Sequence, residues 1–191
     1  MAKKRNKFGI VRLNITLLYV SPKVTRRMDV PSDTNLEDLH YYIQAAMGWD
    51  NDHLWGFEAR RHWQRAHWSI DFFDDDSTLD ANILDVLSFL AGKSEFTYIY
   101  DFGESWTHRI RIGKIQPARD DRCYPYLVSG TGRCPPEDIG GAWGYQALLN
   151  ALDDPDAEFR IDYPGFFQDG RTWDPDDAEL EARRADLARY S

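Results

Sequence analysis

A chain of 191 residues, 42% apolar and 14% aromatic, has the length and apolar content for one folded core, which excludes a chain disordered throughout. No run approaches the roughly 18 consecutive apolar residues of a membrane span, and residues 1–10 lack the apolar stretch of a secretory signal, so a cytoplasmic protein is expected. The net charge of −9 excludes a surface uniformly suited to nucleic acid, although residues 1–70 carry 11 Lys and Arg against 7 Asp and Glu, and residues 71–191 carry 12 against 25.

Residues 1–9, with four cationic side chains, read as a flexible basic arm. The run Val11–Val20 is β-rich, and Lys23–Val30 offers a second extended segment after Ser21-Pro22. Thr34 followed by Glu37 has the pattern of a helix-starting capping box. The predicted helix runs to about Met47, with Leu36, Leu39, Ile43, Ala46 and Met47 as its buried face and Gly48 as its left-handed end. His53–Ala59 and His67–Phe73 read as strands, Asp74–Asp76 as a turn, and Leu79–Leu90 as a short amphipathic helix closed by Gly92. Phe96–Asp101 and Trp106–Ile115 form the best hairpin in the chain, across the turn Phe102–Ser105.

Residues 116–142 hold four prolines and four glycines, and regular structure is not expected there. A loop of that length in a compact domain is either functional or draped over the core. Helix returns at about Trp143–Leu152, stops before Pro155, and resumes over the charged segment Pro175–Tyr190. Together these elements predict a single α+β domain over residues 10–175, an antiparallel sheet of hairpins packed against a few helices, with residues 176–191 as a C-terminal charged helix.

The densest group of acid–base or metal-ligating side chains surrounds the hairpin turn: Asp101, Glu104 and His108, with Glu137 and Asp138 on the following loop. Two hairpin registers fit. One pairs Asp101 with Trp106 and Ile99 with His108; a one-residue slip pairs Tyr100 with Trp106 and Tyr98 with His108. In the plainer reading Asp101 caps the turn, His108 is a half-buried strand residue, and Glu137 and Asp138 favour the start of the next helix. In the functional reading Asp101, Trp106, His108, Cys134, Tyr145 and the three other carboxylates form one surface, and Asp101, His108, Glu137 and Asp138 are candidate ligands of a divalent metal. No other cofactor is indicated.

Cys123 and Cys134 are too few for a disulfide framework and read as reduced thiols. His40 and His53 read as structural histidines. Arg26, Arg27, Arg60 and Arg61 are candidate nucleic-acid contacts, and Trp55, Trp63, Trp68, Phe72 and Phe73 fit either core packing or base stacking. No phosphate-binding glycine loop, zinc-protease helix, nucleophile elbow or zinc-finger spacing occurs.

The ordered blocks Leu39-His40, Ile43–Trp49, His53-Leu54 with Phe57, Tyr98–Gly103 with Trp106 and His108, and Cys134–Gly141 with Gly144-Tyr145 resemble the plasmid pRiA4b ORF-3-like family over about residues 10–175. Thr25 stands where that family commonly has tryptophan before the paired arginines, and Glu104 where it has aspartate. The resemblance implies an antiparallel α+β domain, often encoded by plasmids and mobile elements, with no established biochemical role. Some members carry a passenger TnpR label, but neither the serine nor the tyrosine recombinase constellation is present here. The expected role is a non-enzymatic binding or accessory domain with a protein or nucleic-acid partner and no membrane. The alternative is a metal-dependent hydrolase or nuclease built on the carboxylate and histidine group.

Overall fold

The computed structural model describes residues 9–69, 80–167 and 173–191. Seven antiparallel strands form one sheet: β1 (Ile10–Leu17), β2 (Thr25–Pro31), β3 (Trp55–Arg61), β4 (Gln64–Ser69), β5 (Glu95–Tyr100), β6 (Trp106–Gln116) and β7 (Tyr126–Thr131). Their order across the sheet is β4-β3-β5-β6-β1-β2-β7. Among the described residues five α-helices accompany it: α1 (Leu36–Met47), α2 (Ile83–Leu90), α3 (Gly141–Asp153), α4 (Glu158–Asp162) and α5 (Leu180–Leu187). The protein is thus the single α+β domain expected. Among the described residues no helix is long and apolar enough to cross a membrane.

The strands are amphipathic at period two, so one sheet face makes the core and the other stays polar. On β1, Val11, Leu13, Ile15 and Leu17 are buried while Arg12, Asn14 and Thr16 are half-exposed; on β6, His108, Ile110 and Ile112 are buried while Arg109 and Arg111 face outward. The buried side chains meet the apolar faces of α1, α2 and α3 in one continuous cluster.

The N-cap of α1 is Asn35, not Thr34. Thr34 closes the preceding turn, its hydroxyl donating to the Pro31 carbonyl at 2.7 Å, and the extended Asn35 is the first residue able to accept from the Asp38 amide, at 2.6 Å. Gly48 ends α1 in the left-handed region, as expected. The next helix starts at Ile83 with a capping box between Asn82 and Asp85 and ends at Ala91 rather than Gly92. The expected starts at Leu79, the turn Asp74–Asp76, the stretch from Ile70 to Phe73 and the basic arm lie wholly or largely outside the described residues.

One segment departs from the expectation of irregular structure. Tyr126–Thr131, within residues 116–142, pairs with β2 as the edge strand β7. An edge strand needs only one row of backbone bonds, so the flanking proline and internal glycine that argued against a strand are tolerated there. Gly130 is needed for a packing reason: a Cβ at that position would lie 2.8 Å from the Thr25 carbonyl and 3.0 Å from the Arg26 side chain.

That side chain is a buried cross-brace. Arg26 is 1% exposed; its Nε donates to the Ala46 carbonyl at 2.7 Å, and its Nη1 to the carbonyls of Thr25, Thr131 and Gly132 at 2.8, 3.1 and 3.0 Å. The guanidinium thereby ties β2 to β7 and caps the last turn of α1, whose own sequence supplies no basic residue there. Its burial removes Arg26 from the nucleic-acid candidates. Helix α5 closes this end of the fold, Arg184 donating to the carbonyls of Leu127 and Val128 on β7 at 3.0 and 3.1 Å.

Candidate functional site

The β5–β6 hairpin adopts the register that pairs Tyr100 with Trp106 and Tyr98 with His108. Tyr98, Tyr100, Trp106 and His108 all point inward, and Asp101 leaves the strand with a left-handed backbone, φ 53°. Its Oδ1 accepts from the Gly103 amide at 2.9 Å, the turn-capping role that a short polar side chain performs well.

Three loops converge above this hairpin: Gly48–His53 after α1, the turn Asp101–Ser105, and Cys134–Gly141 before α3. The Tyr100 hydroxyl is the hub, accepting from the Asp52 amide at 3.0 Å and donating to Glu137. Glu137 also accepts from the Asp50 amide at 2.7 Å. The Trp49 indole donates to the Pro135 carbonyl at 2.8 Å and stacks on Tyr100 with ring centroids 5.0 Å apart. Glu104 accepts from the Gly140 amide at 2.5 Å, and a Cβ on Gly141 would lie 2.8 Å from the Glu104 carbonyl. The hairpin turn and the Cys134–Gly141 loop therefore meet, held by charge-assisted bonds and by close backbone approach.

At the rim, His53 lies between two aspartates, its Nδ1 4.0 Å from Asp101 Oδ2 and its Nε2 3.2 Å from Asp138 Oδ1. One ligand-type atom from each of the three residues falls within 4.8 Å of the others. Beside them opens a cleft of about 370 Å³, lined by Gly48, Trp49, Asp50, Asp52, His53 and Pro136–Asp138. Among the described residues, those lining the cleft include four carboxylates and neither Lys nor Arg.

The sequence-predicted set divides into rim and floor. Asp101, Glu104, Glu137 and Asp138 come together at the convergence of the loops. Trp106, His108, Cys134 and Tyr145 lie beneath it, buried, because β6 alternates inward there and α3 turns Tyr145 to the core. His108 is not beside the carboxylates; its ring packs edge-on to Trp49 and against Tyr98, and burial pushes its pKa down to about 3, so it is neutral. Burial likewise pushes the Cys134 thiol and the Tyr145 phenol up to about 12. Tyr100 is raised further, first by burial and then by its bond to Glu137.

The remaining arginine candidates do not form one patch. Arg27 is on β2, bonded to Asn14 at 3.1 Å, while Arg60 and Arg61 are on β3, four strand spacings or roughly 19 Å away. Of the aromatic group, Trp55 is core, Trp68 packs against the core, Trp63 is 91% exposed, and Phe72 and Phe73 lie outside the described residues.

His53, read from the sequence as structural, takes the position expected for His108; Asp50 and Asp52 join the site without having been singled out, and Trp49 and Tyr100 join it from the family-like blocks. Asp50, Asp52 and His53 share one signal, the ligand-rich run Asp50-Asn51-Asp52-His53, which begins two residues after the glycine that ends α1.

An open antiparallel sheet with one helical face, and motif-bearing loops gathered at one end of the central hairpin, defines an α+β domain whose distinguishing residues lie in loop contacts. Consistent with this, the family model "Plasmid pRiA4b ORF-3-like protein" matches residues 9–182, and the chain belongs to that family. The uncharacterized protein y4hQ of Sinorhizobium fredii (strain NBRC 101917 / NGR234) is 43% identical over 149 residues, 77% of this chain and 75% of that protein. The crystal structure of the protein of unknown function MM3350 from Methanosarcina mazei Go1 matches with a TM-score of 0.75 and 30% identity, covering 88% of this chain and 97% of that one. No biochemical role is established for these relatives.

Proposed function

We propose that the protein is a non-enzymatic binding domain whose acidic cleft, between the Gly48–His53 and Cys134–Gly141 loops, takes a cationic ligand. The carrying observation is the lining itself: Asp50, Asp52, Glu137 and Asp138 line one cleft, with His53 and with neither Lys nor Arg among its lining residues. Four like charges in one concavity repel one another, and a cation relieves that repulsion. Their positions are held by the Tyr100 and Glu137 bonds, so binding needs little reordering of the loops. The word plasmid in the family description supports placing this role among functions carried by plasmids or mobile elements.

A lysine hexapeptide titrated into the full chain tests the reading. Binding is expected at about 50 mM salt, weakening at about 500 mM as screening sets in. The Asp52→Asn/Asp138→Asn double variant is expected to lose it. Binding that is absent at low salt, or unchanged in the double variant, refutes the proposal. A hydrolase or nuclease reading is favoured by one observation, that His53 and two carboxylates stand beside an open cleft. Manganese-dependent cleavage of a model phosphodiester above the metal-only blank, lost in Asp138→Asn, would put that reading first.

A further inference from the structure

We infer that His53, Asp101 and Asp138 form a binding site for a divalent transition-metal ion, which makes the cation of the acidic cleft a metal and rests on that reading of the cleft. The three side chains come from three loops and share no helix or strand, yet the tertiary structure places one donor atom of each within 4.8 Å of the other two. Donors held about 2.0–2.2 Å from an ion stand roughly 3–4 Å apart, so small side-chain rotations complete the set. The donors are also separately oriented. Asp101 is anchored through Oδ1 to the Gly103 amide at 2.9 Å, which leaves Oδ2 on the side of His53. Asp138 is held by its backbone, at φ 58° with its carbonyl accepting from the Tyr163 hydroxyl at 3.3 Å, while its carboxylate is 78% exposed and close to His53 Nε2. His53 Nε2 is itself screened from solvent, and its approach to Asp138 is not aligned as a hydrogen bond, although the two atoms are 3.2 Å apart. Glu137, already engaged by Tyr100 and the Asp50 amide, belongs to the supporting shell.

The donor chemistry selects the ion. One imidazole nitrogen with two carboxylate oxygens suits Zn²⁺, Mn²⁺ or Co²⁺, whereas Mg²⁺ and Ca²⁺ take oxygen ligands throughout. His53 and Asp138 also line the cleft, so the remaining coordination positions face it and the bulkier ligands it admits.

The experiment is calorimetric titration of chelator-stripped full chain with ZnCl₂, MnCl₂ and MgCl₂, and separately with the lysine hexapeptide. His53→Gln and Asp138→Asn are run in parallel, with circular dichroism to verify folding. Asparagine tolerates the left-handed backbone of Asp138, which protects that variant's fold. One Zn²⁺ or Mn²⁺ per chain is expected, with Mg²⁺ at least about tenfold weaker. Both variants are expected to weaken transition-metal binding more than about 100-fold. A Co²⁺ derivative of the wild type is expected to show a d–d absorption band that His53→Gln loses. Stoichiometric hexapeptide binding without metal binding overturns the metal site and leaves the cleft reading standing; absent hexapeptide binding overturns the cleft reading, and failure of both titrations overturns both. Metal binding unchanged in folded His53→Gln and Asp138→Asn overturns the ligand assignment.

Discussion

Replacement of Arg26 by alanine distinguishes a structural brace from a nucleic-acid contact. The guanidinium donates to four carbonyls, three of them outside its own strand: Ala46 at the end of α1, Thr131 on β7 and Gly132 just beyond it. A hydrogen bond from a charged donor contributes about 1.5–3 kcal/mol, and a buried carbonyl left unpaired adds its own desolvation cost. Taking the lower bound for the three long-range bonds, and allowing for water entering the space, Arg26→Ala costs about 4–5 kcal/mol. That is a large share of the roughly 5–15 kcal/mol typical of a domain. Burial also lowers the pKa of Arg26, which shows that desolvation opposes the charge and that the carbonyl dipoles must offset it. Urea denaturation of Arg26→Ala, Arg26→Lys and the exposed control Arg27→Ala measures the effect. Arg26→Lys should recover part of the loss, because an ammonium cannot reach all four carbonyls from one position. Arg27→Ala should lie within about 0.5 kcal/mol of wild type. The Arg26→Ala midpoint should fall by about 8–20 °C on heating. An Arg26→Ala protein as stable as Arg27→Ala would refute the brace.

Acid should weaken the fold through two buried histidines. His40 bonds to Tyr98 at 2.7 Å and to Asn51 and stacks on Trp55, and burial lowers its pKa from 6.5 to about 4; His108 is lowered to about 3. The unfolded chain therefore takes up protons first as the pH falls. Stability is complete above about pH 6.5 and is lost by about 1.4 kcal/mol per unit per histidine, down to about pH 4 for His40 and about pH 3 for His108. At pH 5 the loss is about 2 kcal/mol each, read as the difference in unfolding free energy between about pH 7.5 and about pH 5; a flat profile refutes the assignment of neutral buried rings. Gly144→Ala should disrupt the start of α3, since its Cβ would sit 1.4 Å from the Ile139 carbonyl. Destabilisation of about 3 kcal/mol or more is expected by thermal melting, and an unperturbed melt would refute the close contact.

The parts of the fold legible in the sequence are those decided by short-range pattern. The apolar spacing and glycine of α1, and the β-branched and aromatic runs flanking the β5–β6 turn, specify their elements without reference to the rest of the chain. What was not legible depends on partners far away in sequence. Tyr126–Thr131 carries a poor strand pattern and becomes β7 because β2 presents it with an open row of backbone groups. Arg26 looks like a surface charge until the end of α1 and the chain at Thr131–Gly132 supply its acceptors. Thr34 and Asn35 are both competent caps, and the choice between them falls to the turn from Pro31 that consumes the Thr34 hydroxyl.

The candidate site divides along the same line, for a reason that bears on its chemistry. Asp101, Glu104, Glu137 and Asp138 were identifiable because carboxylates clustered in turns are conspicuous, but the histidine that joins them depended on a one-residue difference in register. With Tyr100 opposite Trp106, His108 points into the core, and Tyr100 directs its hydroxyl up to the Asp52 amide and Glu137. The same register that removes His108 from the rim thus anchors the loop that delivers His53 to it. A histidine on the strand would be held by the core and kept neutral by burial, as His108 is. One on the loop lies at the rim, between Asp101 and Asp138, with 27% of its side chain exposed. The exposed polar groups of the candidate site therefore belong to the three loops, and the buried residues of the motif form the floor that holds those loops together.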